Sequence, residues 1–384
     1  MEPSLSRRLI LLAVLACSSG LLINKPQAAP EFVRIAILKE APESVIETRG
    51  RYQIVDLVTQ QVLMDERVLA PSKIRVHDTG IQIGRTIYPA RKLRIVSDKT
   101  VKLLMGEKYQ RYRGFIDIIA KKNKKLLIVN TLDLEQYVRG VLAHEIKDRW
   151  PMQAMMAQAV AARTYALYQI KQSKKADFDL TNDIYSQVYG GRSAERYRTN
   201  IAVARTEGQI LFYNNNVLPA YFHSNSGGHT EDVSQLWDQD LPPLKGHPDP
   251  YSEGAANDHW KKNFRSKDVA EKLLGHGIDV GLIQEINVLE RNNSGRVKML
   301  EFVSRDGKKT LVEGKKFREI IGPNELKSNL YDITMQGYYF DVLGKGWGHG
   351  VGMSQWGAYN MSRQHKNYRE ILEFYYPGAK LGKL

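Results

Sequence analysis

The sequence predicts an α+β fold in which an antiparallel, β-rich N-terminal part packs with a mixed α/β core. Between residues 32 and 130, short runs of β-branched residues alternate apolar and polar positions, which is typical of half-buried strands. Two long helical patterns follow, at residues 132–142 and 151–172. The chain contains no internal repeat and no low-complexity linker, so the later strands and helices belong to the same α+β arrangement.

The individual elements follow from the same patterns. The N-terminal strands are predicted at residues 33–38, 52–55, 81–83, 92–96, 115–119 and 126–129. Later elements are predicted as strands at 208–213 and 220–223, a helix near 267–275 and a helix pair near the C-terminus. The basic run at residues 121–125 is interpreted as a solvated hairpin turn. We therefore divide the chain into a signal at 1–29, a β-rich subdomain at 30–125 and a core at 126–384 that carries a groove and a glycine-rich loop.

The first 29 residues have the features of an export signal. Arg7 and Arg8 precede an apolar run at residues 9–16, and residues 27–29 form a small-residue cleavage site. Cys17 directly follows the apolar run, in a segment that also resembles a lipoprotein processing box. Cleavage and lipidation remain alternatives, and both predict an exported, extracytoplasmic protein of the cell envelope or periplasm, with a lipid anchor at Cys17 in the second case.

Charge and cysteine content restrict the partners. The formal net charge of the 384-residue chain is +14, and removal of the signal lowers it to +12. A basic exported protein is expected to meet anionic envelope polymers or lipid head groups, and no nucleic-acid-binding motif is present. No second stretch of 18 apolar residues occurs, so membrane attachment is expected only through an N-terminal anchor. Since Cys17 is the only cysteine, disulfides and thiolate metal sites are excluded from the mature chain.

Glu145 is the first candidate for chemistry. It lies just before the helix that Pro151 is expected to start, and that helix is rich in alanine and carries Arg163. Apolar neighbours could desolvate the Glu145 carboxyl enough to hold a proton near neutral pH, as the general acid of glycosidic cleavage requires. The alternatives are an ion pair with Arg163 or a charge that favours the helix start.

A polar, glycine-bearing loop at residues 222–231 follows a predicted strand and could line a site. Ser226 lacks the Gly-x-Ser-x-Gly elbow of a serine nucleophile, so turn formation is the favoured interpretation. His223 and His229 could form a metal cluster with Glu231, although loop histidines are more often satisfied by hydrogen bonds. No metal and no cofactor is assigned from this segment.

The second loop, at residues 344–358, alternates glycine with Trp347, His349 and other residues, and also contains Trp356. Alternating glycines let a backbone approach a ligand closely. The segment lacks the ending of a phosphate-binding loop. Sugar binding by the aromatic rings fits better, and a structural glycine turn with core tryptophans is the alternative.

Together these motifs resemble the stage II sporulation protein D/LytB (amidase enhancer) family. The resemblance extends over roughly residues 32–384 and is carried, in order, by residues 134–145, 158–165, 189–191, 226–228, 346–355 and 375–378. It implies a peptidoglycan lytic transglycosylase in which Glu145 is the catalytic residue. Such an enzyme cleaves the β-1,4 bond between N-acetylmuramic acid and N-acetylglucosamine with one carboxyl group, which acts as acid and then as base and leaves a 1,6-anhydro end. Ordinary glycosidases use two carboxyl groups.

The resemblance also implies supporting roles. Arg163 is expected to orient Glu145 or bind substrate, and the expected lining of the groove comprises Tyr189, Ser226, His349, Ser354 and Gln355. The implied partners are peptidoglycan glycan strands and a wall amidase, because the LytB branch enhances such an enzyme. Some relatives bind metal through histidine and cysteine, a site that the missing thiols make doubtful here. A non-catalytic, glycan-binding amidase enhancer and a metallohydrolase are the alternatives, and sporulation itself is not implied.

Overall fold

The computed structural model describes residues 32–173, 176–182, 187–255 and 258–384. The expected export signal, including Cys17, lies outside the described residues. In the described part, no helix is long and apolar enough to cross a membrane.

Strands dominate the N-terminal third, and helices and short strands alternate after it. The strands are β1 (Phe32–Ala41), β2 (Glu43–Thr48), β3 (Tyr52–Asp56), β4 (Val62–Glu66), β5 (Leu69–His77), β6 (Gly80–Ile83), β7 (Thr86–Tyr88), β8 (Lys92–Ser97), β9 (Val101–Met105), β10 (Lys108–Tyr112), β11 (Phe115–Ala120), β12 (Leu126–Asp133), β13 (Leu180–Thr181), β14 (Gln209–Tyr213), β15 (Asn216–Val217), β16 (Phe222–His223), β17 (His259–Arg265), β18 (Ile283–Arg291), β19 (Val297–Ser304), β20 (Lys309–Glu313), β21 (Tyr331–Gln336), β22 (Tyr339–Lys345), β23 (Met353–Ser354) and β24 (Lys380–Lys383). The helices are α1 (Leu134–Glu145), α2 (Met152–Gln172), α3 (Gly191–Ala194), α4 (Tyr197–Arg205), α5 (Ser266–Leu274), α6 (Gly314–Ile321), α7 (Gln355–Arg363) and α8 (Tyr368–Tyr375). The predicted α+β class is confirmed.

Two sheets form the N-terminal part. A seven-stranded sheet has the order β13-β1-β12-β11-β8-β3-β4, and a six-stranded sheet has the order β10-β9-β2-β5-β6-β7. Their pairings are antiparallel, except that the short β13 runs parallel to β1. The lysine-rich segment at 121–125 connects β11 to β12 as the predicted hairpin turn. The seven-stranded sheet contains strands from both sides of residue 125, where we placed the boundary between the β-rich subdomain and the core. This boundary stays a prediction.

The two central helices begin and end close to the predicted positions. The Asp133 carboxylate accepts hydrogen bonds from the backbone N–H groups of Glu135 and Gln136, which caps the start of α1. Pro151 is the N-cap of α2, as its fixed φ favours. The alanines of α2 are almost all fully buried, because α2 packs against α1, α4, α7, α8 and β14. Because the alanine side chains are small, these elements pack closely. The C-terminal end of α1 and the N-terminal end of α7 can therefore approach each other.

A second hydrophobic core lies in residues 260–342, apart from the main core. Two three-stranded sheets, β17-β22-β21 and β18-β19-β20, surround it together with α5 and α6. Phe302, Phe317 and Phe340 are fully buried there. The glycine-rich loop follows β22, the last strand of this region. The region thereby holds that loop beside the loop that follows β16. The predicted strand at 220–223 is shorter than expected, and the predicted helix near 267–275 is confirmed as α5.

Candidate active site

Glu145 and Gln355 meet at the junction of two helices. Glu145 is the last residue of α1, and the chain turns into extended backbone at Ile146. Gln355 is the first residue of α7, whose start is capped by the Ser354 hydroxyl. The Gln355 Nε2 donates a hydrogen bond of 3.2 Å to Glu145 Oε2. Parallel pairing of β16 with β23 sets His223 opposite Ser354, and this register brings His223 next to the same junction.

These side chains line a cavity of about 320 Å³, which we call the Glu145 cavity. Its lining is mostly aromatic and polar and consists of Glu145, Tyr165, Val188, Tyr221, Phe222, His223, Ser224, Trp237, Trp347, Gly348, His349 and Gln355. The Trp237 and Tyr221 rings stack with centroids 4.4 Å apart. The His349 ring meets the Trp237 ring edge-on at 5.4 Å. Among the described residues of the lining, Glu145 carries the only carboxylate.

The surroundings of Glu145 favour its protonated form. Burial raises the pKa of the Glu145 carboxyl to about 7, because a charged carboxylate loses its hydration there. Hydrogen bonds from the Gln355 side chain and the Val188 backbone N–H oppose this effect in part, since they stabilise the ionised form. A carboxyl group with a pKa close to the ambient pH can both donate and accept a proton.

Two histidines in the cavity are neutral. Burial lowers the pKa of His349 to about 3 and that of His223 well below its usual range, and Arg296 adds a repulsion in both cases. The His349 Nδ1 accepts a hydrogen bond from the Val351 backbone N–H, so Nε2 carries the ring proton. The His223 Nδ1 lies 3.2 Å from the Val351 carbonyl oxygen and donates to it. The cavity therefore holds no cationic imidazole near neutral pH.

The glycine-rich loop reaches the cavity because two of its residues lack side chains. Asn225 and Trp347 form an isolated antiparallel bridge between the two loops. Gly348 has φ +117°, and a Cβ there would lie 2.7 Å from the Cβ of His223. Gly350 has φ +91°, and a Cβ there would lie 2.5 Å from Cζ of the buried Arg296. Only glycine fits at these positions, as the alternation of glycines predicted.

Arg163 pairs with a different carboxylate, so the alternative of an ion pair between Arg163 and Glu145 is wrong. The Arg163 side chain is fully buried and forms a two-pronged ion pair with Glu135, with nitrogen to oxygen distances of 2.6 and 2.7 Å. It also donates to the backbone carbonyl oxygens of Gln209, Ala159 and Val203. With its donors directed at these groups, Arg163 links α1, α2, α4 and β14. It does not line the Glu145 cavity.

Three other expected groove residues are buried beside the cavity and do not line it. The Tyr189 hydroxyl donates to Asn130, and its ring packs against the ring of Tyr137. The Ser226 hydroxyl donates to the buried Asp249 carboxylate at 2.7 Å. The Ser354 hydroxyl bonds to that of Ser252 at 2.6 Å and accepts from the Gly357 backbone N–H. Of the expected residues, the structure thus brings His349 and Gln355 together with Glu145.

Several residues of the cavity lining carry no strong signal in the sequence. Trp237 and Tyr221 lie outside the motifs, and Tyr165 resembles a core position of α2. His223 was considered only as part of a metal cluster with His229 and Glu231. The Glu231 carboxylate instead accepts hydrogen bonds from Asn292 and Ser294. The described residues contain no group of three or more His, Cys, Asp or Glu side chains placed to hold a metal ion.

We expect the free energy of unfolding of the Glu145→Gln variant to rise relative to that of the wild type as the pH increases. Folding raises the Glu145 pKa from 4.5 to about 7, so the folded protein retains a proton that the unfolded chain has released. The wild type therefore loses stability as the pH rises through this range, and glutamine does not titrate. The difference in free energy of unfolding should grow by about 1–3 kcal/mol between about pH 5 and pH 8. Urea unfolding across this range measures it, and a constant difference would contradict the raised pKa.

The chain is similar to stage II sporulation proteins, to an amidase enhancer and to an uncharacterized protein. A family model described as Stage II sporulation protein matches residues 122–213, and a model described as a domain of unknown function matches residues 251–352. An uncharacterized protein of Brachyspira hyodysenteriae is 35% identical over 260 residues, which cover 67% of this chain and 69% of that protein. Stage II sporulation protein D of Bacillus subtilis is 30% identical over 270 residues, which cover 66% and 76% of the two chains. The amidase enhancer of Bacillus subtilis is 28% identical over 290 residues, which cover 64% of this chain but only 40% of the enhancer.

Proposed function

Because the chain belongs to the stage II sporulation protein D family, we propose that it acts on the cell wall outside the cytoplasm, as a peptidoglycan lytic transglycosylase. The observation that carries the proposal is a single carboxyl group, with a pKa of about 7, in an aromatic cavity. In the proposed reaction this group, on Glu145, cleaves the bond between N-acetylmuramic acid and N-acetylglucosamine.

The proposed reaction needs only one carboxyl group. Protonated Glu145 donates its proton to the glycosidic oxygen while the bond between that oxygen and the muramic C1 breaks. The muramic C6 hydroxyl then attacks C1, and its proton passes to the Glu145 carboxylate. The product carries a 1,6-anhydro ring, no water is consumed, and Glu145 returns to its protonated form. Gln355 would position the carboxyl group through its hydrogen bond to Oε2.

The cavity lining supports a glycan as the substrate. Trp237, Tyr221 and Trp347 offer apolar ring faces, and the neutral histidines and Ser224 offer polar atoms between them. Sugar rings have apolar faces and a polar rim, so this mixture matches their chemistry.

Digestion of purified peptidoglycan tests the proposal. The mature chain is incubated with intact sacculi and with amidase-treated glycan strands, and the released fragments are analysed by mass spectrometry. We expect muropeptides with 1,6-anhydro ends, which are 18 Da lighter than hydrolysed fragments because no water is added. Reducing ends would indicate hydrolysis and would contradict the single-carboxyl mechanism.

A second candidate function is non-catalytic enhancement of a wall amidase. The observation that favours it is the similarity to the amidase enhancer of Bacillus subtilis. In that case the cavity would bind glycan without cleaving it, and a wall amidase would be the partner. The two functions are distinguished by adding a purified wall amidase. Faster peptide release by the amidase, without any anhydro product and unchanged by Glu145→Gln, would favour the enhancer.

A further inference from the structure

Asp249 is a fully buried carboxylate that has no part in the proposed reaction. It directly precedes the short 3₁₀ helix Pro250–Ser252, and its exposed fraction is 0%. Its Oδ2 accepts hydrogen bonds from the hydroxyl groups of Ser226 and Ser252, and its Oδ1 accepts one from the Tyr375 hydroxyl at 2.9 Å. Burial and the neighbouring carboxylate keep the pKa of Tyr375 well above its usual range, so this hydroxyl stays protonated. The partners of Asp249 among the described residues are thus three neutral hydroxyl groups.

The carboxylate fixes the direction of the hydrogen bonds around it. An ionised carboxylate can only accept, so each hydroxyl group donates its single proton to Asp249. Ser252 therefore has no proton left for Ser354, and the Ser354 hydroxyl donates to the Ser252 oxygen at 2.6 Å. The Ser354 oxygen keeps its lone pairs for the Gly357 backbone N–H, from which it accepts at 3.2 Å. Two hydroxyl groups in a row thus connect Asp249 to the first turn of α7.

The first turn of α7 packs directly on these hydroxyl groups. A Cβ on Gly357 would lie 1.8 Å from the Tyr375 hydroxyl oxygen and 3.0 Å from the Ser252 hydroxyl oxygen. The same turn begins with Gln355, whose amide donates to Glu145. Because the residues of one helical turn share one backbone spiral, a displacement of the capped turn also displaces Gln355.

We infer that Asp249 is a positioning residue, which holds Gln355 in hydrogen-bond contact with Glu145. It acts through the hydroxyl groups of Ser252 and Ser354, and it does not line the Glu145 cavity. Where it concerns cleavage, this inference rests on the proposed function. The contact between the two side chains can be tested without any reaction.

The variant Ser252→Ala tests the inference through the pKa of Glu145. It interrupts the row of hydroxyl groups and leaves the Asp249 charge in place. Burial raises the Glu145 pKa, and the hydrogen bond from Gln355 opposes that effect, so loss of this bond should raise the pKa by about 0.5–1 more. General loosening of the site would act in the opposite direction, because water that enters the cavity would bring the pKa back toward 4.5.

Two further variants change Asp249 itself. Asp249→Ala removes the acceptor of all three hydroxyl groups, so it should raise the Glu145 pKa as Ser252→Ala does. Asp249→Asn keeps an oxygen for the serine hydroxyls, and the tyrosine hydroxyl can accept from its amide, so the pKa should stay close to that of the wild type. Ser304→Ala is the matched control and should leave the pKa unchanged, because the buried Ser304 hydroxyl also donates to an aspartate, Asp306, but in the second core region.

The Glu145 pKa is measured from urea unfolding, so the test needs no catalysis. Each variant is compared with the same variant carrying Glu145→Gln, between about pH 4 and pH 9. The difference in free energy of unfolding falls as the pH rises and becomes constant above the folded-state pKa of Glu145. Gln355→Met alone should give the same rise in pKa as Ser252→Ala. The two substitutions together should give no further rise, as expected for residues that act through one contact.

Two results would overturn the inference. One is a Glu145 pKa that stays unchanged or falls in Ser252→Ala or in a folded Asp249→Ala. The other is a pair of rises that add up when Ser252→Ala is combined with Gln355→Met. A protein that cleaves no glycan could still show the coupled change in pKa, and an active transglycosylase could lack it, so the inference and the proposed function can fail separately.

Discussion

The substitution Glu145→Gln should lower the rate of anhydro-muropeptide release by about 10³-fold or more. General acid–base catalysis typically contributes about 10²–10⁴-fold, and in the proposed reaction the same carboxyl group serves both proton transfers. Glutamine has the size and shape of glutamic acid, and it can still contact Gln355, but it cannot donate an acidic proton to the glycosidic oxygen. The rate is measured on purified glycan strands by mass spectrometry of the released ends.

The matched control for this variant is Asp148→Asn. Asp148 is an exposed carboxylate three residues further along the chain, and it is not part of the cavity lining. The Asp148→Asn variant should therefore release anhydro-muropeptides at the wild-type rate. Glycan binding by Glu145→Gln should also persist, because the aromatic lining is unchanged. If Glu145→Gln retained a rate within tenfold of wild type, Glu145 would not be the acid and base of the reaction, and another group would have to transfer the protons.

The sequence predicted the central part of the site because its motifs are local. The end of α1, the loop after β16 and the glycine-rich loop could each be recognised from their own residues. What joins them is the parallel pairing of β16 with β23, two strands of two residues each and 130 residues apart in sequence. Strands of two residues are too short to show an alternating hydrophobic pattern in the sequence. The contact between Gln355 and Glu145 could therefore be inferred only from the resemblance.

The error for Arg163 has a geometric cause. A basic residue on the helix that follows Glu145 suggested a partner for that carboxylate. Arg163 instead forms its ion pair with Glu135, near the other end of α1. Glu135 and Glu145 are ten positions apart, which corresponds to about 15 Å along the helix. One guanidinium group cannot reach both carboxylates. Only the crossing of α1 and α2, which the sequence does not encode locally, decides which of the two glutamates is the partner.

Several N-terminal strands were missed for a different reason. β10 consists of Lys108–Tyr112 and lies at the edge of its sheet, where three of its five residues are exposed. β4 lies at the edge of the other sheet and is likewise largely exposed. Edge strands are often short and rich in charged residues, so period-two alternation is weak in these two strands. The central strands β8, β11 and β12 of the seven-stranded sheet were predicted. The internal strands β2, β5 and β9 of the six-stranded sheet were missed although each of them has buried positions.

Arg163→Ala should destabilise the fold by about 3–5 kcal/mol, as expected for the loss of one partner from a buried ion pair. The Arg163 side chain is inaccessible to solvent, and the Glu135 side chain is 18% exposed. Removal of the guanidinium group leaves the Glu135 carboxylate with the Gly208 backbone N–H, and it leaves the carbonyl oxygens of Gln209 and Val203 without this donor. Urea unfolding measures the change in the free energy of unfolding.

The double variant Arg163→Met with Glu135→Leu separates the two roles that the sequence allowed for this arginine. Replacing both charges by apolar side chains removes the uncompensated carboxylate, so the double variant should recover most of the about 3–5 kcal/mol that Arg163→Ala loses. Because neither residue lines the Glu145 cavity, the folded fraction of the double variant should cleave glycan at a rate close to wild type. A stable Arg163 variant that bound glycan normally but released no anhydro product would restore the expected orienting role, since it would show that the guanidinium group affects the reaction from its buried position.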